Sequence, residues 1–175
     1  MDSRRRASRF AAVACALALA CEGCASLGGL SGLVRAPRFQ RDDERPAEVR
    51  LFGRTSSGGL GGAGVRLWAR VFNPNPFGLT LSTLRGSLFL EETHAATVDL
   101  PLGLALVAQQ EQLVPIDISI DFSDLPGLVG VVGRAAGGQP LAYRLDGTIG
   151  VDAGALGTPT FGPMTLLRGD AQVRR

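Results

Sequence analysis

The sequence predicts an all-β fold, an antiparallel two-sheet β-sandwich of about seven strands with one short helical segment. Three observations lead there. From about residue 46 onward, apolar and polar residues alternate in short runs, the period of a strand with one buried face. Clusters of Gly, Pro, Asn and Asp separate the runs, in a chain holding 24 Gly and 10 Pro. Hydrophobic residues make up 45% and charged residues 19% of 175, too apolar for a disordered chain and enough for one folded domain.

The N-terminal segment reads as an export signal rather than as fold. Residues 1–9 carry four Arg against one Asp, and Phe10 to Ala20 is an unbroken run of small or apolar residues. A span needs ~20 apolar residues, and this run ends at Cys21-Glu22. Ala18-Leu19-Ala20-Cys21 resembles a lipoprotein cleavage motif with Cys21 as the acylated residue; Gly23-Cys24-Ala25-Ser26 makes Cys24 the alternative, and a non-lipidated secreted form is the third option. Removing residues 1–20 takes away four Arg and one Asp, so the formal +2 becomes −1. A basic stripe for nucleic acid is therefore not expected. All three Cys precede residue 25, so the domain has no disulfide framework.

Residues 21–45, Gly-rich and then rich in Pro, Arg and Asp, read as a flexible tether, with the domain spanning 46–170. Val49 and Leu51 alternate with Arg50 and Phe52 in a first strand, and Ser57 to Gly64 is a Gly-rich connection. Val65, Leu67, Ala69 and Val71 give the second strand its apolar face, while Arg66, Trp68, Arg70 and Phe72 occupy the other. Trp68 and Phe72 are a candidate interaction patch on that Arg-lined face. Asn73-Pro74-Asn75-Pro76 ends the strand: Pro lacks an amide donor, and Asn side chains bond nearby backbone.

Leu79 to Leu90 forms a longer strand, with Leu84, Leu88 and Leu90 on one face and Gly86 at a bulge or close approach. Glu91 to His94 is a polar turn, and Ala95 to Leu100 returns. Val114, Ile116, Ile118, Ile120 and Phe122 point inward, alternating with Pro115, Asp117, Ser119 and Asp121; Pro115 places this strand at an edge. Ser123 to Ala136 is the one helical candidate, with Leu125, Leu128, Val129 and Val132 at helical spacing. Tyr143 to Val151 alternates again, and a last strand runs from about Thr160 to Leu167.

The residues predict no catalysis. His94 is the only His and sits in a turn, so no base serves a Ser or Cys nucleophile. A zinc site lacks ligands in the domain. Asp117 and Asp121, and Asp146 and Asp152, share strand faces, where even alternate positions sit ~6.6 Å apart, a poor Ca²⁺ cage. No Gly-rich stretch carries a phosphate-loop ending. No cofactor is expected.

The run Leu67 to Leu79, with Asn73-Pro74-Asn75-Pro76 between two strands, resembles the signature of the WHy (water stress and hypersensitive response) domain of the late-embryogenesis-abundant type 2 family. Leu141-Ala142-Tyr143-Arg144-Leu145-Asp146-Gly147 is similar to that family's Tyr-x-Leu-x-Gly strand, and the likeness covers about residues 46–168. It implies a sandwich of fibronectin type III or immunoglobulin-like architecture, no catalysis, and protection of cells during desiccation, cold or heat. Bacterial members resemble secreted lipoproteins, in agreement with the export signal. The expectation is a periplasm-facing membrane lipoprotein, on the outer rather than the inner membrane, with client proteins or lipid as partners. The alternative is an envelope module binding an apolar ligand such as lipid, or a protein partner.

Overall fold

The computed structural model describes residues 30–52, 61–122 and 127–174. The export signal of residues 1–20, Cys21, Cys24 and the Ser123–Pro126 start of the expected helix lie outside the described residues, as does the first half of the Gly-rich connection, residues 57–60.

The fold is all-β, as the alternation implies. Eight strands are present: β1 Arg38–Arg41, β2 Ala47–Phe52, β3 Gly62–Phe72, β4 Leu79–Leu90, β5 Thr93–Leu106, β6 Glu111–Asp121, β7 Leu141–Asp152 and β8 Thr160–Arg174. One helix, α1, covers Leu128–Ala136, and 3-10 turns lie at Leu30–Leu33 and Gly154–Leu156. Two separately bonded antiparallel sheets were expected. Instead the strands join into one hydrogen-bonded sheet, because β2 pairs in parallel with β8, Ala47 to Arg50 against Ala171 to Arg174. β3 carries β6 along one edge; its other edge is shared by β2 and β1 in succession. Beyond β8 the order runs β7, β4, β5. β5 and β6, at the two ends of the sheet, meet at the 107–110 turn that joins them, and strands β2 to β8 feed one apolar core.

The inward residues of β3, β6 and β7 are those the alternation marks. Leu67, Ala69, Val71, Leu145, Ile149 and Val151 have no exposed surface, and Ile116 and Ile120 are buried. A Leu or Ile side chain removed from water contributes roughly 1.5–3 kcal/mol, so such positions hold the sheet together. β4 keeps its expected bounds, but its register against β5 and β7 shifts between Leu81 and Thr83. The shift explains why Leu79 and Leu81, then Leu84, Leu88 and Leu90, all face inward across an odd spacing. Gly86 sits opposite Gly147, away from that shift: a methyl on either would enter the neighbouring strand's backbone.

Several boundaries differ from the expectation: β5 starts at Thr93, inside the expected turn, and β6 at Glu111 rather than Val114. The tether reading fails for residues 38–41, which pair as β1 with Ala69 to Phe72. β3 begins at Gly62, inside the expected connection, since Gly62 backs against the Ile120 carbonyl. β5 continues through Pro101 to Leu106, which an edge strand tolerates. β8 runs on to Arg174 because β7 and then β2 pair with it. Helix α1 buries Leu128 and Val131.

Candidate functional site

Strand β3 leads into the Asn73-Pro74-Asn75-Pro76 turn, where two amide side chains are buried almost completely, at 0% and 1% exposure. Asn73 Nδ2 donates to the carbonyls of Phe77 at 2.9 Å and of Leu106 and Val107 at 3.3 Å. Its Oδ1 accepts from the Asn75 amide at 3.0 Å and from Asn75 Nδ2 at 2.9 Å. Asn75 in turn clamps the backbone of Arg35: Oδ1 accepts its N–H at 2.8 Å and Nδ2 donates to its carbonyl at 2.9 Å. The Asn75 carbonyl also accepts from the Gln109 amide. Two side chains thus fasten the end of β3, the start of β4, the β5–β6 turn and the N-terminal segment. Pro74 and Pro76 bring no amide donor to this end.

The outer face of β3 is a row of Arg and aromatic residues that neighbouring strands partly cover. Trp68 is half-buried opposite Pro115, with the Arg45 guanidinium 5.0 Å and that of Arg66 5.9 Å from its ring centre. Such contacts contribute ~0.5–1 kcal/mol each at exposed sites. Phe72 is half-buried between Arg38 and Glu111. Arg66 forks onto Asp117 at 2.7 and 3.0 Å. Arg70 reaches Asp42 at 3.1 Å, Glu111 at 3.2 Å and Glu44 at 3.9 Å.

Asp42 is the buried carboxylate of the described residues, at 2% exposure. Burial pushes its carboxyl upward, but the Glu44 amide and Arg70 guanidinium outweigh that and hold it below the usual range. Nothing in the sequence marked this residue, because Asp42-Asp43-Glu44 reads as a solvated charge run. Its burial follows from β1, whose exit is fixed by the Asp42 amide on the Trp68 carbonyl.

The carboxylates considered for chemistry serve the sheet. Asp117 pairs with Arg66, and Asp146 accepts from Arg144 at 2.8 Å and Thr165 Oγ1 at 2.6 Å. Asp152 accepts from the Gly154 amide, and exposed His94 stands edge-on to Phe89. Among the described residues no three His, Cys, Asp or Glu side chains lie close enough to hold a metal ion. Open clefts occur, one of about 720 Å³ lined by Arg41, Tyr143, Arg144 and Arg168 and one of about 570 Å³ beside Leu79 and Val107.

Residues 69–165, which begin in β3 and take in the asparagine turn, match the family model for late embryogenesis abundant protein, LEA_2. The solution structure of AT1g01470 from Arabidopsis thaliana is similar in fold, with a TM-score of 0.56 at 16% identity over 81% of this chain and 85% of that one. At2g46140.1, described as a late embryogenesis abundant protein, aligns with a TM-score of 0.48 at 16% identity, over 98% and 90% of the two chains. A protein from Archaeoglobus fulgidus aligns at 12% identity and a TM-score of 0.44, over 75% of this chain and 98% of its own. No curated protein matches the chain in sequence.

Proposed function

This chain belongs to the late embryogenesis abundant protein family LEA_2, and from that premise we propose that it is a lipid-anchored, non-catalytic member of WHy type. It sits in the cell envelope facing the periplasm, on the outer rather than the inner membrane, and protects proteins or membranes during desiccation, cold or heat. The observation that carries this reading is the family match across the asparagine turn, joined to an N-terminal segment with an apolar run ending at Cys21. The charge chemistry supports a structural role: Arg66–Asp117, Arg85–Asp99 and Arg144–Glu92 tie strands or turns to one another. The domain has no Cys to oxidise, and among the described residues no buried side-chain polar atom lacks a partner.

A deletion strain complemented with the unaltered gene or with a Cys21→Ala, Cys24→Ala form tests the reading. Survival after drying or heating should fall on deletion and return only with the form that keeps its anchor. Unchanged survival of the deletion strain would contradict protection. Intact mass of the mature protein separately reads the anchor: an acylated Cys21 or Cys24 is expected, and an unmodified N-terminus would contradict it.

A further inference from the structure

The eleven residues of β3 separate the two ends of the sheet by roughly 33 Å. The end built around Asn73 and Asn75 also holds the Leu30–Leu33 turn, through Arg35, and the Val107–Gln110 turn, through Gln109. Two of the three large apolar side chains that the described residues leave exposed are here, Leu33 at 62% and Val107 at 55%. Phe52, the third, pairs with Gly62 at the opposite end. Arg35 and Arg38, two and five positions after Leu33, are exposed, Arg38 opposite Phe72 at this end, and have no ion-pair partner among the described residues. Asp152 is the acidic side chain nearest the 570 Å³ cleft there, and it is engaged with the Gly154 amide.

We propose that this end of the sheet docks on the lipid bilayer holding the anchor, with Leu33 and Val107 entering the interface and Arg35 and Arg38 facing its phosphates. The proposal rests on the lipid-anchored reading above. Chain length is what selects a bilayer as the occupant. Leu30 follows Cys24 by six positions and Cys21 by nine, so even a fully extended chain reaches only about 20–30 Å. An acylated cysteine therefore keeps the asparagine-turn end, rather than the Phe52 end, at the membrane. Two apolar side chains fall well short of the ~800 Å² per partner of a stable protein interface. They suffice for a surface already held at high local concentration by acyl chains, and anionic lipid adds attraction for the two Arg.

The test uses the acylated full chain in vesicles of phosphatidylethanolamine and phosphatidylglycerol whose acyl chains carry a photoactivatable diazirine. Adducts on the peptides containing Leu33 and Val107 should exceed those on the peptide containing Phe52 by at least about threefold, and an Arg35→Glu, Arg38→Glu form should lose most of that excess. In a Trp68→Phe background, Leu33→Trp and Val107→Trp should be quenched by acyl-chain-brominated lipid, and Phe52→Trp should not. Equal labelling of the two ends by protein that floats with the vesicles would overturn the docking while leaving the anchor intact. Protein that does not float would overturn the anchor, and the docking with it.

Discussion

Replacing Asn73 by Ala should unfasten the end of the sheet at a cost far above that of an ordinary polar substitution. Five hydrogen bonds converge on this side chain, three donated by Nδ2 and two accepted by Oδ1. The Nδ2 contacts share one amino group, so the loss amounts to about four bonds at ~1 kcal/mol net each. The buried Asn75 amide is then left without its acceptor, an effect of about 1–3 kcal/mol that partly overlaps the first. The expected loss is about 3–5 kcal/mol, a large share of the ~5–15 kcal/mol by which a domain is stable. Urea unfolding followed by fluorescence of Trp68, the only Trp, measures it. With a slope of about 2 kcal/mol/M the midpoint falls by roughly 2 M at an unchanged slope. Asn73→Asp keeps the volume but sets a carboxylate against three carbonyls, raising its pKa in the folded state. Its deficit should be small near pH 4 and grow as pH rises from the unfolded value of about 3.9 through the raised folded one. A loss below about 1 kcal/mol for Asn73→Ala, or a pH-independent deficit for Asn73→Asp, would refute the reasoning.

Three further outcomes are expected. Asp42 is held low in the folded state, so its contribution is present above the unfolded carboxyl pKa and is lost as pH falls through the folded one; Arg70→Leu should destabilise the protein at pH 7 and flatten that acid limb in urea melts. Gly86→Ala and Gly147→Ala each push a methyl into the opposing backbone, and thermal melts should show losses of about 1–3 kcal/mol or more, against no loss and a gain of up to about 1 kcal/mol for Gly130→Ala, which sits in helix α1 with open space around it. Tyr143 is the single Tyr, and burial chiefly, with Asp170, raises its phenol above 10 against the opposing pull of Arg41. Absorbance at 295 nm should therefore titrate later than a free phenol, and stability should decline as pH rises from about 10 through that raised value; a midpoint at 10 would contradict its burial.

Strands whose alternation is driven by burial were readable from sequence. Ile116, Ile118 and Ile120 on β6, and Leu145, Ile149 and Val151 on β7, announce their inward faces. β1 was not readable, because Arg38-Phe39-Gln40-Arg41 buries little and is held by backbone pairing with β3 and by Asp42. The second half of β5 was hidden by Pro101 and by Gly103, whose φ is +60°. No local pattern encodes the parallel pairing of β2 with β8, which turns expected separate sheets into one. At the site, the asparagine turn was visible, since Asn and Pro have intrinsic turn chemistry. What the turn holds was not: Arg35, Leu106 and Val107 are more than thirty residues distant. Trp68 and Phe72 were placed on the correct face, but the cover from Arg45 depends on the path of residues 42–45.

Protection itself is tested most directly with the purified acylated protein and an aggregation-prone enzyme taken through freeze–thaw and heating. Light scattering and residual enzyme activity are compared with those of an equal mass of albumin. The account requires less aggregation and more retained activity than albumin gives. Equality with albumin in both readouts would contradict it.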